Sequence, residues 1–389
     1  MDFRLTDAEV KVETLARGLA TDVLAVHAAA AGDGEFPRAS LQALAATGLL
    51  GIKIPVEHGG LGASNVAYCV AIRELAAACA STAVTVAVTN MVADMVLRFG
   101  SLDQQARHLP ALCRGTYTAG SFALSEAGAG SDAASLRTRA ERVNRGGVEG
   151  YLLNGSKMWI TSGDVAGVVL VMAKTDAAAG ARGISAFLVE PDMAGFAVGR
   201  HEEKLGLRGS STVALNFTDL FVPESARLGP EGIGFTVAMT ALDGGRCGIG
   251  AQALGMGFAA LQAVAGHMES RKASDRALGT DQPCAFRIAD MATRLDAAWC
   301  MVLRAASLRD QGLKMTREAA MAKVFATEAA GFACQSALHL IGTAALDRNH
   351  PVARAFRDVR VSRIYEGTSE VQRLVIARSL VTDGAFARN

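Results

Sequence analysis

Residues 211 to 223 read STVALNFTDLFVP, and the period of that stretch sets how the whole chain divides. Val213, Leu215 and Phe217 alternate with Ala214 and Asn216, the period of two expected of a strand with one buried face. Three earlier segments read the same way: GYLLNGSKMWIT (150–161), AGVVLVMAKTD (166–176) and GISAFLVEPD (183–192), separated by Gly, Asp and Pro turns. No helical segment intervenes, so these strands predict an antiparallel sheet or barrel in a middle β-domain over 119–228.

On both sides the spacing becomes helical. The pieces 6–30, 38–49, 64–79, 83–99 and 103–114 form an N-terminal helical domain, 1–118, interrupted by the Pro- and Gly-bearing loop IPVEHGGLGAS at 54–64. After Pro230, residues 233–270, 283–312, 317–343 and 351–380 each predict a long helix, and four of them predict a C-terminal four-helix bundle over 229–389. The expected class is therefore α+β and multidomain, in the order helices, sheet, helices. The first long helix contains Gly234, Gly244, Gly245, Gly248, Gly250, Gly255 and Gly257. Interior glycine costs about 1 kcal/mol per residue, so that helix needs neighbours or a ligand at close approach.

Composition narrows the function classes. The 389 residues carry a net charge of +1 with scattered basic positions, which supports neither nucleic acid nor an anionic membrane as partner. Seven cysteines without a CxxC pair predict a reducing, cytoplasmic setting and no disulfide framework. His108 with Cys113 and Cys334 with His339 stand as isolated pairs, so no metal site is expected. MDFRLTDAEVKVETLARGLA at the start is charged and lacks an apolar h-region, so no secretory leader is expected. Leu75 to Ala93 is uncharged over 19 positions, but Ser81, Thr82, Thr85, Thr89 and Asn90 fit a packed buried helix better than a membrane span.

Three short segments carry chemistry. In FALSEAGAGSDAAS (122–135), Gly128, Gly130 and Ser131 can present N–H groups and a hydroxyl to an anion or a heterocycle edge. By itself the segment is equally a flexible turn, and without GxGxxG or a βαβ unit it is not a Rossmann loop. KMWITSG (157–163) holds one of only two tryptophans, Trp159, which can cover an aromatic cofactor or serve simply as a core residue. In RIYEGTSEVQR (363–373), Glu366 follows Ile364 and Tyr365 and precedes Gly367. A carboxylate withdrawn from water there has a raised pKa and suits a general base; the alternative is a first-turn acid on the last helix.

Taken together, these segments resemble the acyl-CoA dehydrogenase family of flavoproteins over nearly the whole chain. FALSEAGAGSD resembles the family's first flavin loop and KMWITSG its second; EKLGLRGSSTVALNFTDLFVP (203–223) is similar to its β-domain segment, and IYEGTSEVQRLVIARSL (364–380) to its C-terminal signature. The resemblance implies FAD as cofactor and α,β-dehydrogenation of an acyl-CoA thioester, with Glu366 removing the α-proton and the β-hydride passing to flavin N5. It also implies that the Glu366 N–H and a flavin ribityl hydroxyl hold the thioester oxygen. Gly367 lets backbone pass close to substrate without a Cβ. Relatives that carry their base on another helix place it where this chain has Gly245, which leaves Glu366 as the matching base.

Carried over by motif position, Phe122, Leu124, Ser125, Gly130, Ser131, Trp159, Ile160 and Thr161 hold the flavin, and Thr368, Ser369 and Glu370 meet the dinucleotide at a helix start. Arg271, Gln282, His339, Gly342 and Thr343 are the remaining cofactor positions. Ser131, Asp243, Arg246, Gly367 and Arg378 match substrate- or CoA-facing positions; Arg246 and Arg378 read alternatively as surface ion pairs. Several positions depart from the family pattern. Ser274 and Asp275 replace an aromatic and a glycine, His339 replaces glutamine, and Thr343, Ala345 and Leu346 replace two glycines and an aromatic. Ala127 stands for a proline. The resemblance further implies an electron-transferring flavoprotein as acceptor and a homotetramer. No arginine lies in 74–96, where dicarboxylate-specific relatives place one, so a short or branched monocarboxylic acyl group is expected. Rival readings are an oxygen-reacting flavin oxidase or monooxygenase, a dehydrogenase of carrier-protein thioesters, and a non-catalytic or nucleic-acid-binding relative.

Overall fold

Local capping signals set the helix starts. Thr6 opens α1 (Asp7–Leu19): its Oγ1 accepts from the Glu9 N–H, and its own N–H donates to Glu9 Oε2. One π-turn links α1 to α2 (Ala25–Asp33), which stops at Gly34 with φ 110°. Next come α3 (Arg38–Ala46), α4 (Asn65–Ala78), α5 (Ala80–Phe99) and α6 (Leu102–Cys113). This computed structural model describes residues 4–270, 272–273, 276–277 and 281–382.

The uncharged stretch 75–93 is not one helix, because the backbone turns at Cys79 (φ −148°, ψ 99°) between α4 and α5. By length and composition Ala80–Phe99 could cross a membrane, as could Gly234–Ser270 and Thr316–Leu346, yet 94% of its apolar window is buried inside the protein. Its polar side chains are used internally. Asn90 Oδ1 accepts from the Ile52 N–H, Asn90 Nδ2 donates to the Leu49 and Val86 carbonyls, and Thr89 Oγ1 accepts from the Gly120 N–H. These bonds tie α5 to the preceding loop and to the first strand.

Seven strands follow: β1 (Gly120–Ala123), β2 (Arg139–Arg145), β3 (Val148–Thr161), β4 (Val168–Lys174), β5 (Ile184–Val189), β6 (Phe196–His201) and β7 (Thr212–Pro223). Their order is β1-β4-β2-β3-β7-β6, with β5 on the free side of β4. Most pairs are antiparallel, as the short turns require, but β1 and β2 run parallel to β4. The alternation in β7 sends Val213, Leu215 and Phe217 into a core within the β-domain. β4 shows no such alternation because both its faces are covered: Val169, Val171 and Ala173 join that same core, while Val168, Leu170 and Met172 pack into the helical one.

The C-terminal part holds α7 (Gly234–Ser270), α8 (Gln282–Asp310) and α9 (Thr316–Ile341). The glycines of α7 admit its neighbours: a Cβ on Gly255 would lie 2.3 Å from the Arg73 carbonyl oxygen of α4. The fourth expected helix, 351–380, is broken. α10 (Pro351–Val359) runs into a 3-10 turn, the helical path stops before Glu366, and α11 starts at Ser369 and ends at Thr382. Glu366 (φ 56°) and Gly367 (φ 86°) are both left-handed, which a right-handed helix cannot carry.

Candidate active site

The break between α10 and α11 is held from several sides. Tyr365 Oη donates to Gln252 Oε1 of α7, and Gln252 Nε2 donates to the Ala80 carbonyl 2.9 Å away. Gln372 Nε2, one turn into α11, donates to the carbonyls of Glu366 (3.0 Å) and Gly367 (2.9 Å). Lys323 Nζ, from α9, donates to the Gly367 carbonyl at 2.8 Å. A Cβ at position 367 would lie 2.6 Å from Gln372 Nε2, so the turn requires glycine there for space as well as for its dihedral.

The Glu366 carboxyl rests on Gly245 of α7, where a Cβ would stand 2.5 Å from Oε2 and 2.9 Å from Cδ. Oε2 is sealed from solvent and has no hydrogen-bond partner among the described residues. Loss of water pushes this carboxyl up to about 7, against the pull of the Arg246 and Lys323 charges. Arg246 is only 4% exposed. Its Nη1 pairs with Asp243 Oδ1 at 2.5 Å, and Asp243 Oδ2 accepts from Thr316 Oγ1 at 2.6 Å. The Asp243–Arg246 pair is therefore part-buried, with the arginine end enclosed, rather than a surface pair, and Arg246 Nε has no partner among the described residues.

A second cluster forms where the ends of β1 and β3 meet. The register of β3 against β7 slips between Lys157 and Ile160. Trp159 takes φ 62° in that bulge, which throws its indole outward, 58% exposed. Ser162 follows with φ 59°. The two loops are stitched together: the Met158 N–H donates to the Ser125 carbonyl (2.9 Å), Ser121 Oγ donates to the Thr161 carbonyl (2.6 Å), and the buried Lys157 Nζ donates to the Leu124 carbonyl (3.1 Å) and Glu126 Oε1 (2.8 Å). Leu124 and Ile160 are buried, so they offer backbone rather than side chain to any ligand. Phe122, Ser125 and Thr161 are half-buried, and Gly130 and Ser131 lie exposed on the turn between them.

The remaining sequence-derived positions are spread more widely. Thr368 Oγ1 accepts from the Val371 N–H at the start of α11, Ser369 is buried beside it, and Glu370 and Arg378 are exposed on that helix. Gln282 begins α8; His339 lies in the last turn of α9, which Gly342 (φ 73°) and Thr343 follow; the side chains at 282, 339 and 343 are exposed. No hydrogen bond among the described residues ties these three to either cluster. Arg271, Ser274 and Asp275 lie outside the described residues.

Among the described residues seven buried side-chain atoms lack a partner, and all fall at these two places. Ser162 Oγ, Asp164 Oδ1 and Ser211 Oγ lie beside the β3 bulge; Arg246 Nε, Glu366 Oε2, Ser369 Oγ and Gln372 Oε1 surround the turn. An orphaned buried polar group costs about 1–3 kcal/mol. Among the described residues, three of the five non-glycine residues with positive φ sit in the same segments, where strain marks function. An exposed indole, orphaned polar atoms and a serine buried at a helix N-terminus fit a flat ring carrying a polar, phosphate-bearing tail, as FAD does. Sequence reasoning missed Lys323 and Gln372. Lys323 was detectable: it shares a helical face with Ala319, Ala320, Ala326 and Ala330, a stripe on which no ammonium belongs without a purpose.

Comparison with known proteins agrees with this geometry. Residues 6–116, 121–220 and 232–381 match the N-terminal, middle and C-terminal domains, respectively, of acyl-CoA dehydrogenase. The chain is 42% identical over 347 residues to the mitochondrial short-chain specific acyl-CoA dehydrogenase of Homo sapiens, covering 89% of this chain and 83% of that one. Butyryl-CoA dehydrogenase from Megasphaera elsdenii superposes with a TM-score of 0.95 at 36% identity, covering 98% of this chain and 100% of that one. A chain in a structure described as the electron transferring flavoprotein of Acidaminococcus fermentans matches with a TM-score of 0.94 at 36% identity, covering 98% and 99% of the two chains.

Proposed function

This chain belongs to the acyl-CoA dehydrogenase family of FAD-dependent oxidoreductases, and we propose that it desaturates a short or branched monocarboxylic acyl-CoA with Glu366 as the base. The observation that carries this reading is the Glu366 carboxyl itself: its Oε2 sealed and without a partner among the described residues, its pKa raised to about 7, and its end seated on a glycine. A proton α to a thioester is weakly acidic, so its removal needs a base matched to neutral pH and donors for the enolate oxygen. Burial of Glu366 meets the first need. The strained turn meets the second by presenting the Glu366 N–H to the thioester oxygen, while Gly245 and Gly367 leave the acyl group room.

FAD, when bound, supplies the acceptor for the hydride that leaves the β-carbon. Phe122, Leu124, Ser125, Gly130, Ser131, Trp159, Ile160 and Thr161 would hold its ring, and Thr368, Ser369 and Glu370 its dinucleotide. Ser131, Asp243, Arg246, Gly367 and Arg378 would meet the acyl-CoA. Along the buried run of α5, Ala80 to Val96, the one charged residue is Asp94, an acid already paired with Lys53, Arg98 and Arg309, so that run offers no cation to a distal carboxylate. Butyryl-CoA and short-chain specificity among the relatives points the same way, and the Acidaminococcus match supports an electron-transferring flavoprotein as acceptor.

The test mixes the FAD-loaded protein anaerobically with acyl-CoAs of increasing length and with a carrier-protein butyryl thioester. Bleaching of the flavin band fastest with four- to five-carbon acyl-CoAs is expected. Bleaching only by the carrier-protein thioester, or rapid reoxidation of the bleached enzyme by oxygen, would overturn the reading.

A further inference from the structure

Lys323 lies in the first third of α9, wholly enclosed, on a helical face it shares with the buried Ala319, Ala320, Ala326 and Ala330. An ammonium in that position loses its hydration, a cost of several kcal/mol unless charge or hydrogen bonding compensates. Its single hydrogen bond among the described residues goes to the Gly367 carbonyl, 2.8 Å away, in the turn that carries the base. Gln372 Nε2 shares that carbonyl and takes the preceding one, so both peptide units after Glu366 are fixed from below.

We propose that Lys323 is a positioning residue for the dehydrogenation: its ammonium clamps the left-handed Glu366–Gly367 turn and, by its charge, keeps the Glu366 carboxylate available as base. The inference rests on Glu366 being that base. The charged and titratable groups around Glu366 are Arg246 on α7, Lys323 on α9, and the neutral phenols of Tyr68 on α4 and Tyr365 beside it; Glu366, Arg246 and Glu370 on α11 surround Lys323. Arg246 is already committed to Asp243 at 2.5 Å, whereas Lys323 has no paired carboxylate of its own among the described residues. Arg246 exerts the larger pull on Glu366 but is held in that ion pair, whereas the Lys323 charge acts on Glu366 with only the more distant field of Glu370 set against it. Burial lowers the ammonium to about 8, which still leaves it mostly charged at neutral pH.

The test uses the FAD-loaded protein as wild type, Lys323→Met and Lys323→Gln. Methionine removes charge and donor; glutamine removes the charge but retains a donor for the Gly367 carbonyl. For both variants the acid limb of the kcat/KM profile should move up by about one pH unit, the scale of removing one nearby opposite charge. kcat at pH 7 should fall about tenfold in Lys323→Met and less in Lys323→Gln, with KM nearly unchanged. A second readout avoids turnover: the infrared band of the protonated Glu366 carboxyl, assigned by its loss in Glu366→Gln, should persist to higher pH in both variants. If Lys323→Met does not bind FAD, Lys323→Gln alone reports the limb and the band. A limb and band that both variants leave in place, with only a lowered melting temperature, overturn the inference. A wild-type profile with no acid limb would instead overturn the base assignment and this inference with it.

Discussion

Gly245→Ala should make the protein more stable and the enzyme slower. The added methyl would stand 2.5 Å from Glu366 Oε2, 2.9 Å from Cδ and 3.3 Å from Oε1. Ordinary contact begins near 3.5 Å, so the carboxyl must withdraw by about 1 Å. A displacement of about 1 Å in a reacting group costs on the order of 10²-fold in rate, and that is the loss in kcat expected with a short acyl-CoA. The clash is with the end of a side chain rather than with backbone, so the fold need not yield. Helix propensity then adds about 1 kcal/mol of stability. Gly266→Ala, on the same helix, is the control: a Cβ there has nothing within 4 Å, so stability should rise by a similar amount with activity unchanged. Melting curves and steady-state kinetics on the three proteins decide the matter. Wild-type kcat in Gly245→Ala would refute the placement of the carboxyl on that glycine.

The titration of Glu366 also reaches stability. Its folded pKa, about 7, lies above the ordinary carboxylate value, so between pH 4.5 and 7 the native state keeps a proton that the unfolded chain releases, and stability falls as pH rises through that window. The span amounts to on the order of 3 kcal/mol, which Glu366→Gln should remove; chemical denaturation of the two proteins at pH 5 and pH 7 checks it. At Asp94, burial opposes the charge, but Lys53, Arg309 and Arg98 hold the carboxyl down at about 2. That stability is present above pH 3.8 and lost as pH falls toward 2, and Asp94→Asn should cost about 3–5 kcal/mol at pH 7 by leaving buried cations unpaired, measured by urea unfolding. Trp159→Ala should leave the fold intact, since the indole is mostly exposed, and weaken FAD binding about tenfold by flavin fluorescence titration.

The division into helices, sheet and helices was legible because periods of 2 and 3.6 survive without knowledge of the neighbours. The strands at 150–161 and 211–223 show it, with alternation visible wherever one face is covered. β4 hid its partners: with both faces buried, a run such as VVLVMA gives no sign that β1 and β2 lie parallel to it. The break at Glu366 was not legible either. Residues 351–380 keep helical spacing throughout, and the turn exists because Lys323, Gln372 and Gly245, distant in sequence or one turn on, hold its carbonyls and make room for its carboxyl. Motif order brought Glu366 to notice; its Oε2 is sealed although the residue is half-buried and Ile364 before it is exposed. Taken in isolation Trp159 read more readily as a core residue, but the bulge in β3 turns it outward.

The account depends most on proton removal by Glu366. Anaerobic mixing of FAD-loaded wild type and Glu366→Gln with butyryl-CoA, followed at the flavin band, tests it directly. The account predicts full bleaching by wild type and none on the same timescale by the variant, with equal flavin content. Bleaching by Glu366→Gln at the wild-type rate would contradict it.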